Sequence, residues 1–143
     1  MKTSELTGQL LNYWAAKALH SLPGHEFRLG LTVDTGIMLR NLETGVDMTW
    51  EPSTNWGQGG PIIDRERIGF LPATKDIKAD KNYQRRTGRS FMPETDGWVA
   101  GYRPITHVEF DWDGAQEVGP TPLIAAMRAL VASKYGDDVP DEN

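Results

Sequence analysis

The segment from Gly119 to Gly136 carries the secondary-structure signal that most restricts how this chain can fold. Thr121 is a favourable N-cap residue, Pro122 suits the first helical position, and Gly136 can end the helix. Between these signals, apolar residues recur every three or four positions, at Leu123, Ile124, Met127, Leu130 and Val131. The sequence therefore predicts an amphipathic helix whose apolar side must be covered by other parts of the chain.

A helix and several strands precede this segment. Residues 3–20 show the apolar spacing of a helix, with Thr3 or Ser4 as its cap and Leu22-Pro23-Gly24 as its end. Alternating apolar residues predict strands at 27–33, 37–42, 46–50 and 98–112, with a turn at 43–45. We expect an α+β fold in a single domain, 1–143, with an antiparallel sheet of about four or five strands packed by the N-terminal and C-terminal helices.

The composition limits the classes of protein to which the chain can belong. With 38% hydrophobic and 24% charged residues, the chain is expected to be globular, and no apolar run approaches the roughly 20 residues that span a bilayer. The formal net charge of −5 disfavours general binding to nucleic acid. The chain has no cysteine for disulfides or thiolate metal sites, and its N-terminus has no apolar signal core. We therefore expect a cytoplasmic protein without membrane contact.

The segment from Trp50 to Phe70 combines two indoles, a Ser-Thr-Asn triplet and a glycine-rich run. Its prolines and glycines predict an irregular, exposed loop over 52–60, and such loops often bind ligands. A short helix is predicted to follow over 61–68, with Pro61 at its first position and Gly69 at its end. The alternative is a strand that places Arg65 and Arg67 on one face.

Residues 71–97 contain few large apolar side chains and are predicted to form a mobile insertion. Between Lys75 and Arg89 the chain has six basic residues against two acidic ones. This segment could alternatively be a basic arm that contacts an anionic ligand or a nucleic acid. The acidic tail, 137–143, is predicted to be frayed.

The candidate binding residues cluster around two predicted glycine-rich helix starts, at 57–60 and 119–121. Unpaired N–H groups at a helix start attract anions, an indole stacks on a nucleobase, and a guanidinium pairs with phosphate. The prolines in both segments remove some of these N–H groups. The predicted ligand-binding residues are Trp50, Ser53, Thr54, Asn55, Trp56, Gln58, Gly59, Gly60, Arg65, Arg67, Thr121 and Arg128.

Each candidate also has a structural explanation. The Ser-Thr-Asn triplet could form a turn whose side chains cap backbone groups, and Trp56 could be part of the core. Arg65 and Arg67 could pair with Asp64 and Glu66. Arg128 lies off the apolar stripe of its helix, so surface exposure is its default.

No motif in the chain predicts a catalytic or metal centre. His20, His25 and His107 are isolated, and no His-Glu-x-x-His or His-x-His spacing occurs. There is no Gly-x-Ser-x-Gly elbow and no Gly-Lys-Ser/Thr phosphate loop. We expect a protein that is not an enzyme and needs neither cofactor nor metal. The alternatives are an unrecognised hydrolase and a metal bound by His107, Glu109 and Asp111.

Three ordered blocks resemble the NinX-like proteins of temperate phages and prophages: LTGQLLNYWAAKA, PSTNWGQGGPIIDRERI and GPTPLIAAMRALVASKYGD. The resemblance implies a phage accessory protein, expressed in the cytoplasm of a bacterial host and dispensable for building the virion. It brings no assigned reaction, cofactor or catalytic residue. By analogy, small phage proteins of this kind often act against host defence, some by sequestering nucleotide signals.

From the residues and the resemblance together, we expect non-enzymatic binding of a small anionic ligand, a nucleotide, in the loop 50–67. One alternative is a protein–protein interaction module that acts on a host or phage protein, since tryptophan and arginine are enriched at interfaces. Another is contact with nucleic acid through the basic segment 75–89. A homo-oligomer is compatible with each of these.

Overall fold

A computed structural model describes residues 1–29, 36–102, 105–106, 109–110 and 115–140. The described helices are a 3-10 turn at Thr3–Glu5, α1 at Gly8–Leu19, α2 at Trp56–Glu66, α3 at Lys81–Thr87 and α4 at Pro122–Tyr135. The described strands are β1 at His25–Leu29, β2 at Ile37–Asn41, β3 at Asp47–Thr49, β4 at Ile68–Pro72, β5 at Trp98–Tyr102, β6 at Ile105–Thr106, β7 at Glu109–Phe110 and β8 at Gln116–Gly119.

The strands form antiparallel sheets with the orders β1-β2-β3, β4-β5-β8 and β6-β7. The predicted α+β class is confirmed, but the described strands form separate sheets instead of the expected single one, and α2 connects β3 of the first to β4 of the second. The turn at 43–45 joins β2 to β3 as predicted. The first predicted strand begins at His25 instead of Phe27, and its last residues, 30–33, lie outside the described part of the chain.

Helix α4 is the central element of the core, and its predicted ends are confirmed. The Thr121 side chain accepts a hydrogen bond from the N–H of Ile124 at 3.1 Å, Pro122 opens the helix, and Gly136 is its C-cap. The helix is less amphipathic than predicted, because small residues are buried as well as the apolar stripe. These small residues are Ala125, Ala126, Ala129 and Ala132. They let α4 approach α1 and the β4-β5-β8 sheet on different sides.

The N-terminal helix is interrupted, so the prediction of one helix over 3–20 is wrong. Thr3 is not its cap: this residue is fully buried, and its hydroxyl donates to the Gly136 carbonyl at 2.7 Å. Helix α1 begins at Gly8, which has a positive φ of 59°, and Thr7 makes no side-chain capping bond. The helix ends at Leu19 because His20 adopts a φ of 66°.

Helix α2 begins five residues before the predicted position, so an irregular loop over 52–60 and a helix starting at Pro61 are both wrong. Pro61 lies inside the helix and removes only one backbone hydrogen bond. Tertiary contact explains the early start: a Cβ on Gly59 would lie 2.4 Å from the Pro52 carbonyl oxygen. Arg67, in the left-handed conformation, ends the helix, whereas the predicted Gly69 already belongs to β4.

Residues 71–97 are not without structure of their own. They contain α3, which begins with the Asp80 side chain accepting from the Tyr83 N–H at 2.7 Å and ends at Gly88. A second core cluster forms around them, made of Ala73, Ile77, Ala79, Tyr83, Met92 and Val99. Val99 and its neighbour Ala100 point to opposite sides of β5, so this segment covers the sheet face that α4 does not.

The start of the C-terminal tail is paired rather than frayed. Asp138 forms an antiparallel bridge with Lys2, and the Val139 N–H donates to the Met1 carbonyl at 3.0 Å. Val139 is also buried in the main core. In this structure residues 137–139 are therefore held against the N-terminus, and residues 141–143 lie outside the described part of the chain.

Candidate functional site

A groove of about 430 Å³ lies between helix α2 and the start of strand β4. We call it the α2–β4 groove. It is lined by Trp56, Gly60, Ile63, Asp64, Arg67, Ile68 and Gly69. The first five of these residues, at positions 56, 60, 63, 64 and 67, follow helical spacing, which places them on one face of α2 and its C-cap. Ile68 and Gly69 open β4 and complete the lining from the other side.

The upstream end of the groove is aromatic. The Trp56 side chain is 52% exposed, and its ring centroid lies 6.0 Å from that of Phe70 on β4. Phe70 in turn meets Trp98 of β5 at 5.8 Å, with the two rings inclined at 74°. Phe70 and Trp98 are half-buried and pack against the main core, so they support one side of Trp56. A large part of the Trp56 indole remains open to a ligand.

The downstream end of the groove is charged. Asp64 and Arg67 are both exposed there. Among the residues that the structure describes, neither side chain has a hydrogen-bond or ion-pair partner, although the two are three positions apart. The Arg67 backbone is fixed by its left-handed conformation and by N–H contacts to the Ile63 and Asp64 carbonyls. The groove therefore presents one anionic and one cationic group that a ligand can pair.

Two predicted ligand residues belong to the core instead. Trp50 is 2% exposed, and its ring lies 4.6 Å from that of Phe27, edge to face. Ser53 is 1% exposed, and its N–H donates to the Asn12 side-chain oxygen at 3.1 Å. Both residues are buried in this conformation, and neither lines the groove.

Gln58 and Gly59 also serve the fold. The Gln58 side chain accepts from the Glu51 N–H at 2.6 Å and donates to the Thr49 carbonyl at 2.9 Å, so it covers the end of β3. Gly59 is buried, and its N–H donates to the Asn55 carbonyl at 2.8 Å within the first turn of α2. The Gly59 N–H, expected to bind an anion, is therefore already paired, and Gly59 does not line the groove.

Thr54 and Asn55 remain exposed, and both N–H groups donate to the Glu51 carbonyl, at 3.1 and 2.9 Å. They form the turn before α2, but neither lines the groove. Asn55 is the N-cap residue and makes no side-chain capping bond. Of the glycine-rich run, only Gly60 reaches the groove.

The other predicted residues hold parts of the scaffold. Arg65 is exposed and pairs with Glu66 at 3.6 Å, away from the groove. Arg128 is not on the surface as its position suggested: its guanidinium donates to the Leu6 carbonyl at 2.8 Å and to the Val118 carbonyl at 2.9 Å. Burial lowers the pKa of Arg128. Thr121 is the N-cap residue of α4 and does not line the groove.

The sequence-based prediction missed Ile63, Asp64, Ile68 and Gly69 as lining residues. A helical signal for this face was present, since Trp56, Gly60 and Asp64 are spaced by four residues. It could be recognised only if the helix were known to begin at Trp56. The pattern was hidden because glycine and proline normally predict a break there.

The basic segment is partly neutralised by internal contacts. Arg86 of α3 lies 3.5 Å from Glu117 of β8 and also pairs with Asp137. Burial raises the pKa of Glu117 to about 7, and the neighbouring Arg86 opposes that rise. One of the six basic residues is therefore committed to the fold.

Across the described residues, no three His, Asp or Glu side chains gather closely enough to hold a metal ion. His107 and Asp111, proposed above for a metal site, lie outside the described part of the chain. Of the helices that the structure describes, none has both the length and the apolar character needed to cross a membrane.

A family model described as "Bacteriophage P22, NinX" matches residues 2–134 of the chain. The match extends from the first 3-10 turn almost to the end of α4, and it includes the groove and the segment 71–97. Among curated proteins, no sequence matches the chain.

Proposed function

The chain belongs to the bacteriophage P22 NinX family, and we propose that it is a phage accessory protein that binds a nucleotide in the α2–β4 groove. The ligand is small, aromatic and anionic, and it is bound without being turned over. This proposal keeps the expected ligand class but moves the site from the predicted loop to the face of α2.

The observation that carries this proposal is the exposed Trp56 indole in the same groove as the Arg67 guanidinium, which pairs with no other described side chain. A base stacked on an exposed aromatic ring gains about 1–3 kcal/mol. A guanidinium pairs well with phosphate oxygens, because its planar fork can donate two parallel hydrogen bonds. A volume of about 430 Å³ also lies within the range that small ligands occupy.

The lining of the groove supports binding rather than catalysis. Its described side chains are those of Trp, Ile, Asp and Arg, so Asp64 is the one group among them that could act as a nucleophile or general base, and the lining brings no second carboxylate, imidazole, hydroxyl or thiol to work with it. Binding alone would serve a phage in the bacterial cytoplasm, because a tight complex removes a host signalling nucleotide from solution. Sequestration of a defence signal is therefore the use that we propose.

The test is thermal unfolding of the protein with a panel of mono-, di- and cyclic nucleotides. At a concentration 100 times its dissociation constant, a bound nucleotide stabilises the native state by about 2.7 kcal/mol. Trp56→Ala and Arg67→Ala should each weaken that stabilisation. Arg65→Ala is the matched control, because Arg65 is an exposed arginine two positions away that does not line the groove. If no nucleotide shifts the melting temperature, or if both arginine variants behave alike, the proposal is wrong.

A protein-interaction role is the second candidate, favoured by exposed apolar side chains beside the groove. Val46 is 62% exposed and Met48 50% exposed on the β2–β3 hairpin. The Gln58 amide nitrogen lies 3.6 Å from the Met48 sulfur, so the hairpin adjoins the start of α2. A Met48→Glu variant should keep nucleotide binding in the leading proposal. If no nucleotide binds and both Met48→Glu and Trp56→Ala lose one defined protein partner, the second candidate replaces the first.

Contact with nucleic acid through residues 75–89 is less well supported, because Arg86 is engaged with Glu117 and Asp137. Such contact would weaken steeply as the salt concentration rises. Binding to an oligonucleotide that falls with salt and is lost in an Arg85→Ala, Arg89→Ala double variant would favour it.

A further inference from the structure

Asp64 is the one groove residue that the binding of an anion leaves unexplained. Its carboxylate is exposed, lines the groove together with Trp56 and Arg67, and has no partner among the residues that the structure describes. A negative charge beside an anionic ligand is unfavourable unless the ligand offers hydrogen-bond donors to it. We propose that Asp64 makes the groove selective for a guanine nucleotide, an inference that rests on the proposed function.

Guanine is chosen because of the hydrogen-bond donors that each base can offer to a carboxylate. An ionised carboxylate is an acceptor only, so both of its oxygens are satisfied by two adjacent N–H donors. Guanine presents the N1–H group next to the N2 amino group. Adenine and cytosine each present one amino group next to an acceptor nitrogen, and uracil presents one N–H between two carbonyls. Of these four bases, only guanine therefore pairs with both oxygens of the carboxylate.

The placement of the three side chains along α2 leaves room for a base. At a rise of 1.5 Å per residue, Asp64 lies about 12 Å along the helix from Trp56. Gly60 lies midway between them, and a Cβ built there would meet nothing within 4 Å. This bare stretch is bounded by the indole at one end and the carboxylate at the other. The ribose leaves guanine on the side opposite the N1–H edge, so the phosphate points away from Asp64, and the long Arg67 side chain has to extend back along the groove to pair with it.

The experiment is calorimetric titration of the full-length protein with guanosine, adenosine, cytidine, uridine and xanthosine monophosphates. The wild-type protein should bind the guanosine ligand about 10-fold or more tightly than the other four. Asp64→Asn should reverse the preference toward xanthosine monophosphate. Its carboxamide accepts from N1–H and donates to the C2 carbonyl, which replaces the amino group in xanthine. Because the Asp64 side chain is exposed and unpaired with described residues, this variant is expected to fold normally.

Glu66→Gln is the control, since it removes the same charge from the same helix but from a residue that does not line the groove. It should keep the wild-type order of affinities. Equal binding of the guanosine and adenosine ligands, or an Asp64→Asn variant that still prefers guanosine, would disprove the selectivity while leaving nucleotide binding intact. If none of the five ligands binds, the proposed function itself fails.

Discussion

At the scale of single residues, Trp50 is 2% exposed and packs edge-on against Phe27, whereas Trp56 is 52% exposed. The two indoles have the same chemistry and similar local sequence, with glycine and proline nearby. What separates them is burial, which depends on the residues that the fold brings to each ring. One is a core residue and the other a surface available for stacking.

The stability of alanine variants should show this difference. Trp50→Ala removes a buried aromatic ring and should lower the free energy of unfolding by about 3–5 kcal/mol. Trp56→Ala removes a half-exposed ring and should lower it by less than about 1 kcal/mol. Urea unfolding of both variants measures the two changes. Equal losses, or a larger loss for Trp56→Ala, would mean that Trp56 is a core residue and that the groove lacks a stacking surface.

The same distinction explains how much of the site could be predicted from the sequence. Trp56, Gly60 and Arg67 were predicted and do line the groove. Gly59 and Arg128 were predicted on equally good chemistry but hold the scaffold, Arg128 through carbonyls at Leu6 and Val118. Residue type shows what a side chain can bind, whereas contacts between distant segments decide whether it is free to bind.

At the scale of elements, α2 forms where local propensity is low. Its first five residues, Trp56 to Gly60, include three glycines. Buried contacts at Gly59 and Ile62 outweigh that propensity, as tertiary packing commonly does. Helix α4 was predicted correctly because its cap, its first proline and its final glycine are local signals. The start of α2 was not predicted correctly, because it depends on the contacts of Gly59 with Pro52 and with Leu123 of α4.

A pair of alanine substitutions in α2 tests this explanation. At Gly59 a Cβ would lie 2.4 Å from the Pro52 carbonyl oxygen and 2.6 Å from a Leu123 methyl, so Gly59→Ala should destabilise the protein by about 1–3 kcal/mol. At Gly60 a Cβ would meet nothing within 4 Å, so Gly60→Ala should stabilise the helix by about 0.5–1 kcal/mol. Thermal unfolding compares them. A Gly59→Ala variant that is as stable as Gly60→Ala, or more stable, would show that α2 does not pack through Gly59.

At the scale of the whole molecule, three separate parts of the chain meet at one guanidinium. Arg86 of α3 pairs with Glu117 of β8, 31 residues away, and with Asp137, 51 residues away in the C-terminal segment. The Asp137 carbonyl also accepts from the Thr3 N–H at 2.7 Å, which brings in the N-terminus. Partners so distant in sequence leave no local pattern, so the sequence predicted neither the ordered segment 71–97 nor the paired tail.

Glu117 makes the stability of this assembly depend on pH. Burial is the main cause that raises the pKa of Glu117 from 4.5 to about 7. The positive charges of Arg86 and Arg128 oppose this rise, and the negative charge of Asp137 adds to it. Between pH 4.5 and 7 the native state therefore holds a proton that the unfolded state releases. The free energy of unfolding should fall as pH rises through this window, by up to about 3 kcal/mol, and level off above it. Glu117→Gln stays neutral and should remove this slope. Urea unfolding at pH 5, 6, 7 and 8 gives the free energy of unfolding of the wild-type protein and of Glu117→Gln. If the difference between these two free energies stays constant across this range, Glu117 is ionised in the native state throughout.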